Sequence, residues 1–594
     1  MCGIVGYVGA KDARSIILDG LKTLEYRGYD SSGIALRDND KFKIFKDKGR
    51  IAHLCDITDY SFKTNIGIGH TRWATHGMVN YDNSHPHISN NKRFILVHNG
   101  IIENYRKLKI DYLSDYSFYS ETDSEVIVNL IEFYSKKFDT LDAIRKTVSK
   151  LEGSYALLIL DEQNPDVIYL VKNKTPLIIG LQDDGVVIAS DIIAFPKDTK
   201  KYFSFDDQRI ATIKKDEIKV MDLMGFEIKP DFKDIKLDDF NLSKGNYEHY
   251  MLKEIEEQPD VIRRIITKYF DEEDNAIIDL DLINAINNSD KINFVACGTS
   301  LYASFMGKYF FEKLCGIPTE CFVASELVYS NPLMTKKPIF IFVSQSGETL
   351  DCITVLKKYK ELGFKTILIT NSVGSTLATL SDYVLDICAN TEISVASTKS
   401  YTASIAIMSI LAKAVSNKKT NLKNNLNRVS KVIEEIIVDL KPLIKDMAKH
   451  LKDSNAIFYI GRGIDYWAGD EAALKLKEIS YINTDSYSSG ELKHGTIALI
   501  EEGTPVIAII TQEGTNSIVR SNLAEAEARG ARGFVISLES LAYSKDDIII
   551  PNVAHYLTPM VSVVACQMLA YYVALFKNND IDKPKNLAKS VTVE

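Results

Sequence analysis

IFIFVSQSGET, residues 339–349, decides how the carboxy-terminal half folds. An apolar, β-prone run, 339–343, passes directly into the small polar residues of SQSGET at 344–349. Apolar strands alternating with longer helical patterns on either side of it predict a parallel α/β sheet. Upstream, 292–296 runs into a glycine turn, CGTS at 297–300, in the same manner. The pair then recurs: 457–460 meets GRG at 461–463, and 506–510 meets TQEGT at 511–515. A shift of about 165 residues superimposes the copies, which implies a duplicated domain rather than a solenoid of three or more short units.

Ahead of the first copy, residues 227–239 carry Lys229, Asp231, Lys233, Asp234, Lys236, Asp238 and Asp239 with little periodicity, which reads as a linker. Before it, short β-rich runs at 4–8, 66–68, 94–98, 155–160, 167–171 and 186–189 alternate with turns, and helical patterns fall at 13–24 and 123–138. This half reads as α+β with much sheet.

The whole chain, 594 residues and 66.7 kDa, is about twice the length at which a single core stops growing. With 45% hydrophobic and 25% charged residues it is an ordinary globular composition. The formal charge of −9 disfavours a broad electrostatic hold on nucleic acid or anionic lipid, so an anionic ligand needs a local pocket. Eight cysteines without a Cys-x-x-Cys pair fit a reducing, cytoplasmic setting better than a disulfide scaffold. The start, MCGIVGYVGAKDAR, lacks a basic segment before an apolar one and does not read as a secretory signal. Residues 553–576 have no formal charge, but Pro559 interrupts them and His555 and Gln567 lie inside, so a buried helix is expected there.

In an open parallel sheet, ligands sit beyond the carboxyl ends of the strands, where helix N-termini present unpaired N–H groups. SQSGET falls there. Ser344, Ser346 and Thr349 offer hydroxyls, Gln345 an amide, and Gly347 lets the backbone curl around an anion, so a phosphate can be held without a cation. The same polar residues also suit a simple helix cap. Glu513 stands in the second copy where the first has Ser346, so only the first copy is expected to take phosphate. Neither the P-loop pattern nor the dinucleotide Gly-x-Gly-x-x-Gly is present, and nucleotide binding is not supported.

Cys2 directly follows Met1, and a small second residue normally permits removal of that methionine. The freed amine titrates near ~7.7–8.0 and the thiol near ~8.5, so the amine can act as base for its own side chain. From position alone, a buried cysteine in the first strand is the favoured reading. Cys2-Gly3-Ile4-Val5-Gly6, YRGYDSSG at 26–33, HTRWATHG at 70–77, HNG at 98–100 and ETDSE at 121–125 resemble, in order and spacing, the glutaminase domain of class II amidotransferases, an N-terminal nucleophile hydrolase of four αββα layers. The resemblance implies that Cys2 is the nucleophile and that Asn99 and the Gly100 N–H form the oxyanion hole. It further implies that Arg72 and Asp123 grip the α-carboxylate and α-ammonium of glutamine, that Trp73, Thr75 and His76 line that site, and that Trp73 also gates an ammonia channel. His85-Pro86-His87 is not expected to bind metal.

The two later copies resemble sugar isomerase (SIS) domains. Together with HYMLKEIEEQP at 249–259, VASTKS at 395–400, KLKEISY at 475–481, ELKHG at 491–495 and NLAKSVTVE at 586–594, the chain resembles the family of glutamine:fructose-6-phosphate aminotransferases (isomerising), the glucosamine-6-phosphate synthases. Lys475 and Glu478, three apart on a predicted helix, share a face, which by itself reads as a solvated pair with Glu471 as the i−4 partner of Lys475. The resemblance assigns Glu478 to proton transfer between C1 and C2, Lys589 to a Schiff base with the open ketose, His494 to ring opening and Lys475 to assisting proton movement. Thr299, Ser300, Val395 and Ser397 become sugar contacts, with Ser344, Gln345, Ser346 and Thr349 on the phosphate. A lysine attacks a carbonyl only when unprotonated, so Lys589 is expected to be desolvated or near other cations.

The implied reaction turns fructose 6-phosphate and L-glutamine into glucosamine 6-phosphate and glutamate, the first step of hexosamine (UDP-N-acetylglucosamine) synthesis, with no cofactor and no metal. His494 is implied to enter from a neighbouring subunit of a homodimer. The expected organisation is a glutaminase domain at 1–226, a linker and helical connection at 227–282, isomerase domains at 283–425 and 449–584 flanking an interdomain helix at 426–448, and a catalytic tail at 585–594. The alternatives are a class II amidotransferase with another acceptor, whose pyrophosphate-binding loops are not found, and a non-catalytic sugar-phosphate sensor.

Overall fold

The computed structural model describes residues 2–39, 41–235, 243–416, 418 and 420–591. Met1, whose removal is at issue above, lies outside them, as do Lys236, Asp238, Asp239 and the last three residues of the NLAKSVTVE string. The chain divides into two compact units, one from Met1–Asn241 with Ser590–Glu594 and the other Leu242–Lys589.

The first unit is built on two antiparallel sheets. Gly3–Gly9 lies inside an eight-stranded sheet between Gly185–Ala189 and Ile66–Arg72, with Val5 opposite Ala189 and Gly3 opposite Thr71. Phe94–Ile102 pairs with Gly153–Asp161 in a seven-stranded sheet, where Gly100 faces Tyr155. Strand side chains alternate between faces, and both faces are apolar here. Ile4, Val8, Ile66 and Ile68 meet Ile95, Val97, Leu158 and Leu160 between the sheets. On the far side of the first sheet, Val5 and Tyr7 pack against Ala13–Leu24 and Ile51–Ile57. Phe94 and Leu96 on the second pack against Asp123–Ser135 and Thr140–Val148. The result is the four-layer αββα sandwich expected above.

Within the second unit are two five-stranded parallel sheets of identical order. One runs Thr319–Val323, Lys291–Ala296, Pro338–Val343, Lys365–Thr370, Tyr383–Asp386; the other Asn483–Ser488, Ala456–Gly461, Pro505–Ile510, Arg532–Leu538, Ile548–Ile550. In chain order that is 2-1-3-4-5, whose direction reverses beside the first strand and leaves a crevice at the carboxyl ends of the first and third. CGTS and SQSGET follow those two strands. One continuous apolar core joins Ile292, Phe294 and Ile341 of the first sheet to Ile457, Tyr459 and Ile507 of the second.

Four local expectations are corrected. Only Cys297 of CGTS is turn; the helix Gly298–Phe310 starts at once. Part of the expected linker is sheet edge: Glu227–Ile228 pairs with Glu217–Asp222, and Lys233–Asp234 with Lys201–Ser204. In place of one helix at 426–448 there are two, Leu422–Val438 and Lys441–Leu451, the second opened by Pro442 in its first turn. Pro559 likewise opens the helix Pro559–Phe576 instead of interrupting it. His555–Phe576 is long and apolar enough to cross a membrane, yet 89% of its most apolar stretch is buried in the fold, the core helix anticipated above.

Candidate active sites

Cys2 is held by its neighbours in the first unit. The Gly3 N–H donates to Thr71 Oγ1 at 3.1 Å, which fixes the strand start beside the end of Ile66–Arg72. The Trp73 N–H then donates to Cys2 Sγ at 3.2 Å, and the thiol lies 3.5 Å from the Trp73 carbonyl. Burial pushes the Cys2 thiol up, against the pull of the Trp73 N–H and the Arg72 guanidinium. A base is therefore needed to make it a nucleophile. Asn99, on the neighbouring sheet, donates from Nδ2 to the Cys2 carbonyl at 3.0 Å. Gly100 follows at φ +132°, a conformation essentially restricted to glycine.

Arg72 is buried and spends its donors on the carbonyls of His76, Gly77 and Met78, curling the 76–78 loop around itself. Asp123, the first residue of Asp123–Ser135, accepts the Ile102 N–H at 2.8 Å. Arg72 and Asp123 are thus two buried opposite charges, close enough for Asp123 to act on Arg72 but hydrogen-bonded to different backbone groups, an arrangement that suits an amino acid's two charged ends. Trp73 meets Tyr29 edge-on at 5.9 Å, His76 meets Tyr105 at 5.5 Å, and Thr75 is exposed.

Behind Asn99 lies a buried histidine group. His70 Nε2 is 3.0 Å from the His98 carbonyl, and its ring stacks on His85 at 4.0 Å. His98 Nδ1 is 2.9 Å from Ser124 Oγ; His87 sits between Tyr119 OH at 3.0 Å and Thr122 Oγ1 at 3.1 Å. Burial drives His70 down to about 3 and lowers His85, His87 and His98 as well. These are neutral imidazoles occupied by hydrogen bonds, and among the described residues no group of histidine, cysteine, aspartate and glutamate is arranged to hold a metal.

In the second unit, SQSGET forms a closed turn at the carboxyl end of Pro338–Val343. Ser344 Oγ lies 3.0 Å from Thr349 Oγ1 and accepts the Gly347 N–H at 3.1 Å; the Glu348 N–H donates to Ser346 Oγ at 3.2 Å. Glu348 is turned aside to accept the Thr376 N–H at 2.8 Å, so the acidic residue of the motif does not point its charge into the turn. The helix Leu350–Glu361 starts immediately afterwards. Hydroxyls and N–H groups at a helix start make a concave anion cradle.

The second copy fills its own crevice. Asp465 and Ser300 both lie four residues beyond their strands, and Thr511 and Ser344 both lie one residue beyond theirs. Asp465, fully buried and pushed up to about 7 by burial, accepts both the N–H and the hydroxyl of Thr511. A side-chain carboxyl thus occupies the N–H and hydroxyl of Thr511, the counterpart by position of Ser344. Glu513, the residue that first distinguished the copies, is exposed.

Lys475 and Glu478 meet as expected, Nζ to Oε2 at 2.7 Å, and Lys475 also donates to Thr299 Oγ1 at 3.0 Å. Glu471 closes the group, 3.6 Å from Lys475 and 3.2 Å from Thr299 Oγ1. Burial lifts Glu471 to about 8. It also works against the charge on Lys475, but Glu471 and Glu478 outweigh it and hold that lysine above its usual value. Lys589 donates to Ser397 Oγ at 3.0 Å and pairs at 2.5 Å with Glu392, a residue the sequence did not single out. Val395 is fixed by its N–H on the Asp582 carbonyl at 3.0 Å. His494 is exposed on the turn Glu491–His494 and takes no hydrogen bond among the described residues.

Family models agree with this division. A glutamine amidotransferase domain matches residues 70–197, and a SIS domain matches twice, at 285–414 and 450–577. A Staphylococcus epidermidis glutamine–fructose-6-phosphate aminotransferase (isomerizing) is 50% identical over 601 residues, covering all of both chains. The chain belongs to the glutamine–fructose-6-phosphate aminotransferase (isomerizing) family. A Staphylococcus aureus relative of the same name is 50% identical over 602 residues, again end to end. Among solved structures, the C-terminal domain of the Francisella tularensis glucosamine-fructose-6-phosphate aminotransferase superimposes with a TM-score of 0.54 at 31% identity, covering 58% of this chain and all of that one. Membership thus joins both units in one enzyme, an aminotransferase with a glutamine amidotransferase domain followed by two SIS domains.

Proposed function

We propose that this chain makes glucosamine 6-phosphate and glutamate from fructose 6-phosphate and glutamine. The observation that carries this reading is the end-to-end identity with relatives of that name, now joined to side chains able to perform each step. Cys2, freed as the first residue once Met1 is removed, attacks the glutamine carboxamide. Asn99 and the Gly100 N–H stabilise the oxyanion where charge develops, and Arg72 and Asp123 fix the substrate's two charged ends. Trp73, Thr75 and His76 complete that pocket. The liberated nitrogen must stay unprotonated to react, so it travels sheltered from bulk water, with Trp73 as the gate.

Ser344, Gln345, Ser346 and Thr349 hold the sugar phosphate, and Thr299, Ser300, Val395 and Ser397 hold the sugar. Lys589 forms the Schiff base at C2, Glu478 moves the proton between C1 and C2, and Lys475 assists. His494, exposed on its own chain, opens the ring in the neighbouring subunit of a homodimer. We place the enzyme in the cytoplasm, at the first step of hexosamine synthesis.

Two assays test this reading: glutamate release from glutamine, and glucosamine 6-phosphate formation from fructose 6-phosphate. Cys2→Ala is expected to abolish glutamine use, and Lys589→Met to stop sugar conversion while sparing glutamine hydrolysis. Sugar-phosphate binding with neither product would instead make the chain a sensor. Mass spectrometry of the purified amino terminus checks that Met1 is gone.

A further inference from the structure

The residue that holds Lys589 is itself unassigned. Glu392 is 4% exposed, and both of its carboxylate oxygens are engaged. Oε1 accepts the N–H groups of Thr398 at 2.9 Å and Ser400 at 3.2 Å, at the start of the helix Lys399–Ser416. Oε2 accepts from Ser400 Oγ at 3.0 Å and from Lys589 Nζ at 2.5 Å. Lys589 is 3% exposed in its side chain and has Ser397 Oγ as its other partner. An ammonium has no lone pair to offer a carbonyl, so a group beside Lys589 must be able to take its proton, and Glu392 is the carboxylate in contact with it.

The charged groups around Glu392 come from three further elements. Lys399 lies at the start of its own helix and is itself paired with Glu257 at 2.7 Å; Lys475 belongs to Ile464–Ser480. Glu254, on Tyr250–Glu256, accepts the N–H groups of Ile393 at 2.5 Å and Ser394 at 3.2 Å. Burial first, then the charge of Glu392, pushes Glu254 up to about 8, so one of the two neighbouring carboxyls is neutral while the other is ionised. Lys589 draws Glu392 down to about 2 despite its burial.

Resting on the assignment of Lys589 as the Schiff-base former, we propose that Glu392 is its proton partner and the counter-ion of the iminium. The carboxylate takes one proton from the Lys589 ammonium, giving a free amine and a carboxylic acid. The amine lone pair adds to C2 of the open ketose as the carbonyl π-pair moves to oxygen; that oxygen takes a proton from the adding nitrogen, giving a carbinolamine. Glu392 returns its proton to the hydroxyl, which leaves as water while the nitrogen lone pair forms the C=N bond. The sum is ammonium plus ketone to iminium plus water, with Glu392 ionised at the beginning and at the end. One carboxylate thus faces a cation at the same nitrogen in both states, and no proton is exchanged with solvent.

That balance supplies a test which a merely structural role would not alter. The full-length enzyme is incubated with fructose 6-phosphate and cyanoborohydride across neutral pH, and the reduced adduct is located by mass spectrometry. In the parent enzyme the adduct forms on Lys589 to an extent independent of pH. With Glu392→Gln the buried lysine discharges, iminium formation must take up a proton from water, and the adduct falls about tenfold for each unit of rising pH. Glu254 would ionise once its neighbour is neutral, so the double variant Glu254→Gln/Glu392→Gln is measured beside the single one. Glu392→Asp, which keeps the charge, is expected to keep the flat pH profile at a lower yield, and it decides the matter if the glutamine variants do not fold. A flat profile for folded Glu392→Gln and the double variant, or a steep one for Glu392→Asp, would overturn the proposal. An adduct absent from Lys589 in the parent would instead overturn the Schiff-base assignment on which it rests.

Discussion

Gly100→Ala offers a quantitative test of the glutaminase site. A Cβ at residue 100 would lie 2.0 Å from the Ser154 carbonyl oxygen, 2.7 Å from its carbon and 2.9 Å from the Tyr155 Cα. All three obstacles are backbone of Gly153–Asp161, directly across the sheet, so no rotamer change relieves them. Restoring an ordinary separation of about 3.4 Å to that oxygen moves one strand by roughly 1.4 Å. Holding alanine at φ +132° adds about 1–3 kcal/mol, and parting the ladder there loses one or two hydrogen bonds at about 1 kcal/mol each. The expected cost is about 2–5 kcal/mol, a large part of a typical domain's stability.

The same shift carries the Gly100 N–H away from the developing oxyanion. Loss of one such donor typically lowers kcat by about 10²–10³, so glutamate release is expected to fall by at least that factor even well below the melting temperature. Glutamate release at saturating glutamine, measured beside thermal unfolding, separates the catalytic effect from instability. A stably folded Gly100→Ala protein hydrolysing glutamine at the parent rate would refute both the oxyanion role and the claim that this strand pair cannot yield.

Ser346→Glu, which copies Glu513 into the first cradle, sets a carboxylate about 4 Å from the bound phosphate. At an effective dielectric of about 20 that repulsion is about 4 kcal/mol, so KM for fructose 6-phosphate should rise about a thousandfold, and an unchanged KM would move the phosphate elsewhere. The histidines behind Asn99 predict acid sensitivity: burial holds them neutral in the fold, whereas the unfolded chain protonates them near ~6.5. Stability is therefore full above about pH 6.5 and is lost as pH falls toward the depressed values, by about 2 kcal/mol at pH 5 for His70 alone. Loss of glutaminase activity on heating at pH 7 and pH 5 checks this, and equal melting temperatures would contradict it.

How much of this was readable from the sequence follows from whether a signal is local. The strands before CGTS, SQSGET, GRG and TQEGT were legible because an apolar run ending in small polar residues is a local pattern, and 13–24 emerged as Ala13–Leu24 for the same reason. Residues 227–234 were misread because two-residue edge strands rich in charge look like solvated linker. Burial leaves no local signature, so nothing in the spacing of His85 and His87 announced the packed hydrogen-bonded group to which they belong. Glu392 was illegible for the strongest form of this reason. Its partner Lys589 is 197 residues away, and ANTEISVASTK, read locally, is an unremarkable polar loop.

Under the proposed assignment of the phosphate to the first repeat, position rather than motif separates the two copies. Glu513 first marked the second copy as unsuited to phosphate, yet it is exposed, and a solvated charge alone is a weak deterrent. Asp465 is the stronger reason. It is buried at the place of Ser300, and it already satisfies the Thr511 N–H and hydroxyl that an incoming anion would need. An anion could enter only by displacing a covalently attached competitor whose effective concentration is high and whose removal would leave those buried donors unpaired. Reverting Glu513 to serine would therefore not open the second crevice. The duplicated domain keeps the sheet order that creates a binding crevice, but one copy closes it with its own carboxyl while its helix Ile464–Ser480 supplies Lys475 and Glu478 to the pocket around Thr299. On the proposed roles, loss of ligand binding in one repeat and gain of proton-transfer groups for the other arise on the same helix, since Asp465, Glu471, Lys475 and Glu478 all lie along it.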